Sequence, residues 1–318
     1  MNNFEKYQTF FILLAIAIGL LLGQFAFFES HAESFILPFL LLLLYGIFLS
    51  IPLKGIKKAL KNRSFLTTSI IINFIWTPFL AWVLGYLFLI NHPAIWLGFI
   101  LLLVTPCTDW YLIFTSTAKG NLALSTTLLP VNLLLQVILL PVYIYIFTHT
   151  METVKMPFLL ESVITVLIVP LVFAGLTRFV MLRKPQKWQT KMVSFMIANQ
   201  LLFLCLAIIA MFASQSSYLM ENGHAFFLIL LPFLSFYIIN FIIALLIGHF
   251  LKYRYEDTAS LCMTILARNS PIALAIVLAV FPNQPSIALA LIIGPLLELP
   301  ILAIISQLLL HLKRTKIY

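Results

Sequence analysis

Apolar residues run through this chain in stretches of about twenty or more, separated by short polar segments that hold most of its charge. An α-helix needs about 20 predominantly apolar residues to cross a hydrocarbon core of roughly 30 Å. The pattern predicts ten such spans, at approximately 8–28, 34–52, 65–91, 94–118, 121–148, 158–181, 192–213, 225–251, 257–281 and 285–312. No polar stretch between them is long enough to form a soluble domain. The expectation is an all-α polytopic membrane protein, one transmembrane domain over 1–318.

Composition agrees with the pattern. The chain is 63% hydrophobic and 9% charged, against about 25% charged residues in an ordinary soluble domain. Its first apolar run follows Glu5 and Lys6 rather than a basic cluster, and Glu29-Ser30-His31-Ala32 is a poor cleavage site, so the run reads as a span, not a signal peptide. The formal charge of +9 is a topology signal rather than a nucleic-acid footprint. Basic residues gather in even-numbered loops and the tail: Lys54 to Arg63, Lys119, Arg183 to Lys191, Lys252 with Arg254, and Lys313 to Lys316. Odd-numbered loops carry Glu29, Glu33, Glu152 and Glu221 with a single basic residue, Lys155. The positive-inside rule then puts both termini in the cytoplasm, with the chain in the cytoplasmic membrane.

Ten spans divide into five and five, approximately 1–150 and 151–318, and an odd number per half inverts the second half relative to the first. The halves echo each other weakly. The fourth span is interrupted by Thr105-Pro106-Cys107-Thr108-Asp109 and the ninth by Ala267-Arg268-Asn269-Ser270-Pro271. The spans that follow carry Pro130-Val131-Asn132 and Gly294-Pro295-Leu296-Leu297-Glu298. Proline lacks an N–H and clashes with the preceding turn, so it frees carbonyl groups inside the membrane. Paired interruptions in matching halves are the best sequence pointer to a transporter's binding site.

Charge falls at the same places. Asp109, Arg268 and Glu298 each lie near the middle of a predicted span, where a charge costs roughly 2.5–3.5 kcal/mol on insertion scales. A carboxylate there suits a proton or a cation, and Glu298, flanked by Pro295 and Pro300, is the foremost carrier. Arg268 with Asn269 supplies a fixed positive charge and an amide for an anion, or acts as an internal cation; the alternative is a static ion pair of Arg268 with Asp109. Asn132 and Gln136, four apart, share a helix face that either lines a cavity or bonds neighbouring helices. The site expected from the sequence is Cys107, Thr108, Asp109, Asn132, Gln136, Arg268, Asn269, Ser270 and Glu298. Cys107 could offer a thiolate as a soft ligand, while Cys205 and Cys262 read as packing residues. An odd number of cysteines in apolar segments does not suggest a disulfide framework.

Phosphate-cradling loops, dinucleotide fingerprints and His-Glu-x-x-His elements are absent from the sequence. No enzyme activity, metal or cofactor is expected. Uphill transport would then draw on an ion gradient, with H⁺ or Na⁺ as the coupling ion.

At these residues the chain resembles the superfamily of bile acid:sodium symporters and arsenical-resistance arsenite permeases. The stretch Ala288 to Leu302, with Gly294-Pro295, Glu298 and Pro300, is similar to the last-span motif of the arsenite permeases. Ala267 to Phe281 is similar to their broken ninth span, Cys107 falls where they place a functional cysteine, and Lys119-Gly120-Asn121 is similar to the superfamily's loop into the fifth span. The resemblance implies a ten-helix fold with a panel and a core domain, in which helices 4 and 9 cross at their breaks. It also implies that Cys107 and Glu298 are the residues most needed. Arg268 and Asn269 stand where the sodium symporters place a glutamate and a glutamine, and the resemblance implies an arginine in the place of a sodium ion.

Three functional readings follow. The first is an arsenite-efflux-type permease coupled to protons. The second is a sodium-coupled symporter of an organic anion. The third is a non-transporting membrane receptor, which requires that Asp109, Arg268 and Glu298 all tolerate apolar replacement. The expected partners are the lipid bilayer and a small molecule, a metalloid oxyanion or an organic anion, with a homo-oligomer compatible with each reading.

Overall fold

A computed structural model describes residues 8–50, 62–107, 110–150, 157–181, 185–214, 216–217, 225–281 and 284–315. Secondary structure among them is helical throughout, and the one extended pairing is an isolated antiparallel bridge between Pro106 and Arg268. The helices are α1 (Gln8–Leu22), α2 (Ala26–His31), α3 (Glu33–Ser50), α4 (Arg63–Ile71), α5 (Thr77–Leu89), α6 (Pro93–Leu103) and α7 (Trp110–Thr117). They continue as α8 (Leu122–Thr150), α9 (Pro157–Met181), α10 (Gln186–Ser214), α11 (Ala225–Phe250), α12 (Tyr255–Leu266), α13 (Ser270–Val280) and α14 (Pro285–Arg314). Five helical segments among the described residues are long and apolar enough to cross a membrane: Arg63–Leu89, Leu122–Phe147, Gln186–Ser214, Phe227–Phe250 and Ser286–Arg314. Glu33–Gly46, Pro93–Leu103 and Ile168–Met181 are shorter apolar helices.

The chain divides into two compact units. The first comprises Met1–Ile51, Lys155–His224 and Leu274–Pro285, and the second Pro52–Val154, Ala225–Ala273 and Ser286–Tyr318. In the first, α10 packs on α1 and α3, and α9 packs on α3. Small residues allow the close approach: a side-chain carbon at Gly19 would strike Phe212 and the Ile209 carbonyl oxygen, and one at Gly23 would strike Ser216. Close small-residue packing is how helices associate where lipid removes the hydrophobic incentive. At the end of α3 the Arg178 guanidinium donates to the Leu49 carbonyl at 2.7 and 3.1 Å, satisfying one of the helix's terminal acceptors.

In the second unit α11 packs on α5 and α12, and α8 packs on α6, α7 and α12. Outward faces are apolar, as at Ile138, Val142 and Ile146 on α8 and Leu231, Ile238 and Ile242 on α11. The predicted span 65–91 is not a uniform α-helix. Ile72–Trp76 forms a π-helical turn between α4 and α5, with the Thr77 N–H donating to the Ile72 carbonyl. Pro78 explains it: the ring carries no N–H for the Phe74 carbonyl, and the wider turn accommodates this. The Tyr143 hydroxyl of α8 donates to the released Phe74 oxygen at 2.7 Å.

The two interruptions expected from sequence are both present. α6 ends at Leu103 and α7 starts at Trp110; α12 ends at Leu266 and α13 starts at Ser270. By contrast α8 runs unbroken through Pro130 and Pro141, and α14 through Pro295 and Pro300.

Candidate functional site

Backbone accounting builds the site. Residues leaving α6 and residues leaving α12 run side by side: the Cys107 N–H donates to the Ala267 carbonyl at 3.0 Å and the Asn269 N–H to the Thr105 carbonyl at 2.7 Å. This register uses the groups of residues 105 and 107 and leaves the nitrogen of Pro106 unused, so proline costs the pairing nothing. Each break thereby satisfies groups that the other has freed, as an apolar surround demands. The Thr105 hydroxyl donates to the Leu102 carbonyl at 2.8 Å. Asn269 caps α13, its Oδ1 accepting from the Ile272 N–H at 3.4 Å.

The N–H of Arg268 points away from the pairing, and the Glu298 carboxylate takes it at 2.8 Å. Glu298 reaches the break because α14 lies hard against α6. A side-chain carbon at Gly98 would strike the Ile287 carbonyl oxygen, and one at Gly294 would strike Leu102 Cδ2. Glu298 and Arg268 are both buried, at 3% exposure each.

The Arg268 guanidinium spans three segments. One terminal nitrogen donates to the Leu103 carbonyl at 2.9 Å; the other donates to the Ile265 carbonyl and, at 3.4 Å, to Asn73 Oδ1 in the π-helical turn. Its carbon lies 5.1 Å from the centroid of the Phe236 ring, within cation–π range. The two carbonyls are ones released at the ends of α6 and α12. Among the described residues no carboxylate oxygen comes within ion-pair distance of the guanidinium. Glu298 and Arg268 are joined through the main-chain N–H instead.

Of the residues expected from sequence, Cys107, Arg268, Asn269 and Glu298 meet here, with Ser270 opening α13. Cys107 is buried, at 3% exposure. Thr108 and Asp109 lie outside the described residues, and with them the expected Asp109–Arg268 pair. Asn132 and Gln136 are buried on α8, and the polar atoms of both amides lack a hydrogen-bond partner among the described residues. No group of three or more His, Cys, Asp or Glu capable of holding a metal occurs among the described residues.

The sequence model of the Sodium Bile acid symporter family matches residues 37–222, more than half of the chain. The chain belongs to that family. This is a family of membrane transporters, not enzymes, so the protein is a multi-pass transporter of a small molecule. The likeness to curated relatives also covers the second half. An uncharacterized transporter of Synechocystis is 25% identical over 340 residues, covering 96% of this chain and 88% of the relative. The arsenical-resistance protein Acr3 of Corynebacterium glutamicum is 23% identical over 322 residues, covering 94% and 86%.

Sequence reasoning missed Asn73 and Phe236, which hold the guanidinium. The signal for Asn73 was available: Ser69, Asn73 and Thr77 recur every four residues inside an apolar span and stop at Pro78. Phe236 is one of twenty-nine phenylalanines and carried no signal.

Proposed function

We propose that this transporter is a secondary exchanger of the arsenite-efflux type, coupled to protons rather than sodium, in the cytoplasmic membrane with both termini inside. In this reading the ten predicted spans form a single domain of two inverted repeats, with spans 4 and 9 crossing at their breaks.

The observation that carries the coupling is the seat of the Arg268 guanidinium. Carbonyls freed at half-helix ends are the groups that coordinate a transported cation in broken-helix transporters. Here those of Leu103 and Ile265, with Asn73 Oδ1, are already occupied by a covalently attached cation. A sodium ion at those oxygens would meet the guanidinium's positive charge at close range, which disfavours it there. Glu298 is then the group left to carry the coupling charge. Ionised, its carboxylate forms a charge-assisted bond to the Arg268 N–H, roughly twice as strong as a neutral one. Protonation weakens that bond and loosens the break, which links the proton to the geometry around Cys107. Cys107 supplies the soft contact for a metalloid, and Asp109 the second carboxylate.

In proteoliposomes, arsenite exchange driven by a proton gradient should persist when sodium is replaced by potassium. It should vanish in Glu298→Gln while the melting temperature holds. Undiminished exchange in that variant defeats the mechanism. The positive charge of Arg268, which meets no carboxylate at ion-pair distance among the described residues, favours a second reading, a symporter of an organic anion. Strict sodium dependence of a carboxylate flux would establish that reading in place of the first.

A further inference from the structure

We infer that Arg63 and Lys252, gathered about Tyr253 at the loop end of the second unit, hold the headgroup of an anionic phospholipid whose acyl chains lie along α11. Three features converge on this seat.

The first is assembly. Leu251-Lys252-Tyr253-Arg254 forms the tight turn between α11 and α12. The Tyr253 hydroxyl lies 2.8 Å from Ser64 Oγ and 3.3 Å from Thr68 Oγ1, and its ring centroid 6.2 Å from that of Phe65. Tyr253 thereby ties the turn to the start of α4, which brings Arg63 and Lys252 to the two sides of one tyrosine. Both cations are exposed, and neither meets a carboxylate at ion-pair distance among the described residues. The acids close by are already engaged. Glu256 accepts from Lys313 at 2.8 Å; Asp257 accepts from the Asn121 amide at 2.8 Å and lies 3.5 Å from Arg254. The charge left over on this surface is positive.

The second is the backbone. Lys252, with φ 53°, ends α11 in a Schellman motif: its N–H donates to the His249 carbonyl at 3.1 Å and the Tyr253 N–H to the Gly248 carbonyl at 2.8 Å. Lys119, with φ 54°, ends α7 in the same way, its N–H donating to Ser116 and that of Gly120 to Thr115. Among the described residues these are the two non-glycine positions with positive φ, and no glycine has one. Lysine thus stands twice where the backbone favours glycine, at the same end of this unit, because the Tyr255 hydroxyl donates to the Ala118 carbonyl at 2.8 Å. A lysine there complements the helix dipole in any solvent. What sets the Lys252 turn apart is the surface joined to it.

That surface is the third feature. Phe250 and Leu251, directly before Lys252, are 76% and 47% exposed. Ile238, Ile242, Leu246 and Phe250 recur every four residues as an exposed apolar ridge that climbs α11 to the turn. Cations at the head of an apolar ridge match a molecule with an anionic head and hydrocarbon tails. A free anion has no use for the ridge, and a zwitterionic lipid brings its own ammonium against the cations.

The test is equilibrium binding by the purified full-length protein in detergent, read as thermal stabilisation. Dioleoylphosphatidylglycerol is titrated in one arm, dioleoylphosphatidylcholine in a second and inorganic phosphate in a third. Wild type should prefer the phosphatidylglycerol by about tenfold or more, and Lys252→Asn should lose about fivefold of that preference, the worth of one basic residue at an anionic lipid. Asparagine tolerates the left-handed turn, so the cap survives the change. Adding Arg63→Gln should abolish the preference. Lys187→Gln with Lys191→Gln removes as many charges from the start of α10 and should leave it unchanged. The inference is overturned if wild type does not distinguish the two lipids, if the α10 pair costs as much as the Arg63 and Lys252 pair, or if inorganic phosphate stabilises as phosphatidylglycerol does. No transport is read, so the lipid seat stands or falls apart from the coupling proposal.

Discussion

The two units of this protein treat polar side chains in opposite ways. Among the described residues, every buried polar or charged side chain except Ser216 belongs to the second unit, as does every buried side-chain polar atom without a partner. In the first unit the polar side chains have partners: Tyr45 to Thr177 at 2.9 Å, Arg178 to the Leu49 carbonyl, Asn199 to the Phe195 carbonyl at 2.8 Å, and Ser217 to Glu29 at 2.6 Å. Its interior is made of small and apolar residues, such as Ala15, Ala207, Ala210 and Ala213 against Gly19 and Gly23. The second unit keeps a guanidinium, a carboxylate and several amides where hydrocarbon would exclude them. On the proposed reading these groups are kept at that cost because transport uses them. In that reading one unit is built as a scaffold, and the other holds the chemistry.

Substitutions that sharpen or break this contrast rank by expected effect. Glu298→Gln should reduce proton-driven exchange by about 100-fold or more, the scale of losing a proton-transfer group. A first-unit carboxylate such as Glu29 should tolerate the same change in the same assay. Next comes Gly98→Val, whose side chain strikes the Ile287 carbonyl oxygen, forcing α14 off α6 and drawing Glu298 from the break. It should cost about 1–3 kcal/mol of stability, as overpacking does, and lower exchange as well. Gly19→Val should cost a similar amount of stability, measured by denaturant titration, with the residual folded protein still active.

The third comparison predicts opposite signs. Thr264→Val removes a buried hydroxyl that has no partner among the described residues, and should stabilise the protein by up to about 1 kcal/mol. Tyr45→Phe in the first unit breaks a satisfied bond and should destabilise by about 0.5–1.5 kcal/mol. Equal signs in thermal melts would mean that the second unit's polar residues are ordinary structural glue.

The smallest effect belongs to the end of α14, where Lys313 Nζ lies 2.8 Å from Glu256 Oε1 and 4.5 Å from the Tyr255 ring centroid. The Lys313 hydrogen bond holds the Glu256 carboxyl below its ordinary value. Its contribution is therefore present above the usual carboxylate range and is lost as pH falls through the lowered folded value. Both side chains are more than a third exposed, so Lys313→Ala should shift stability by less than about 1 kcal/mol at neutral pH.

Much of the second unit's chemistry was legible in the sequence because a charge or a proline in an apolar run has few innocent explanations. Arg268, Glu298, Cys107 and both helix interruptions stood out in that way, and the breaks fall where Pro106 and Pro271 put them. Pro130, Pro295 and Pro300 stood out equally and break nothing, and α8 runs through Pro141 as well. Proline removes a donor, but whether the helix yields depends on what else can reach the freed carbonyl. Pro78 makes the same point in reverse, producing a π-helical turn inside a span whose pattern predicts a plain helix.

What the sequence determined by itself is the class and which charged residues stand in apolar runs. Apolar length fixes a membrane helix because no other element satisfies its own backbone in lipid, and a charge inside such a run announces itself without a partner. What the tertiary structure decided is who meets whom. It gave the guanidinium of Arg268 to two carbonyls and an amide rather than to Glu298, and gave Glu298 the main-chain N–H of Arg268. Those choices depend on two glycines that let α14 touch α6 and on the pairing register of two broken segments. Apart from the Ile265 carbonyl, three residues away, they join residues 30 and more apart in the chain, set by packing geometry that no local pattern encodes.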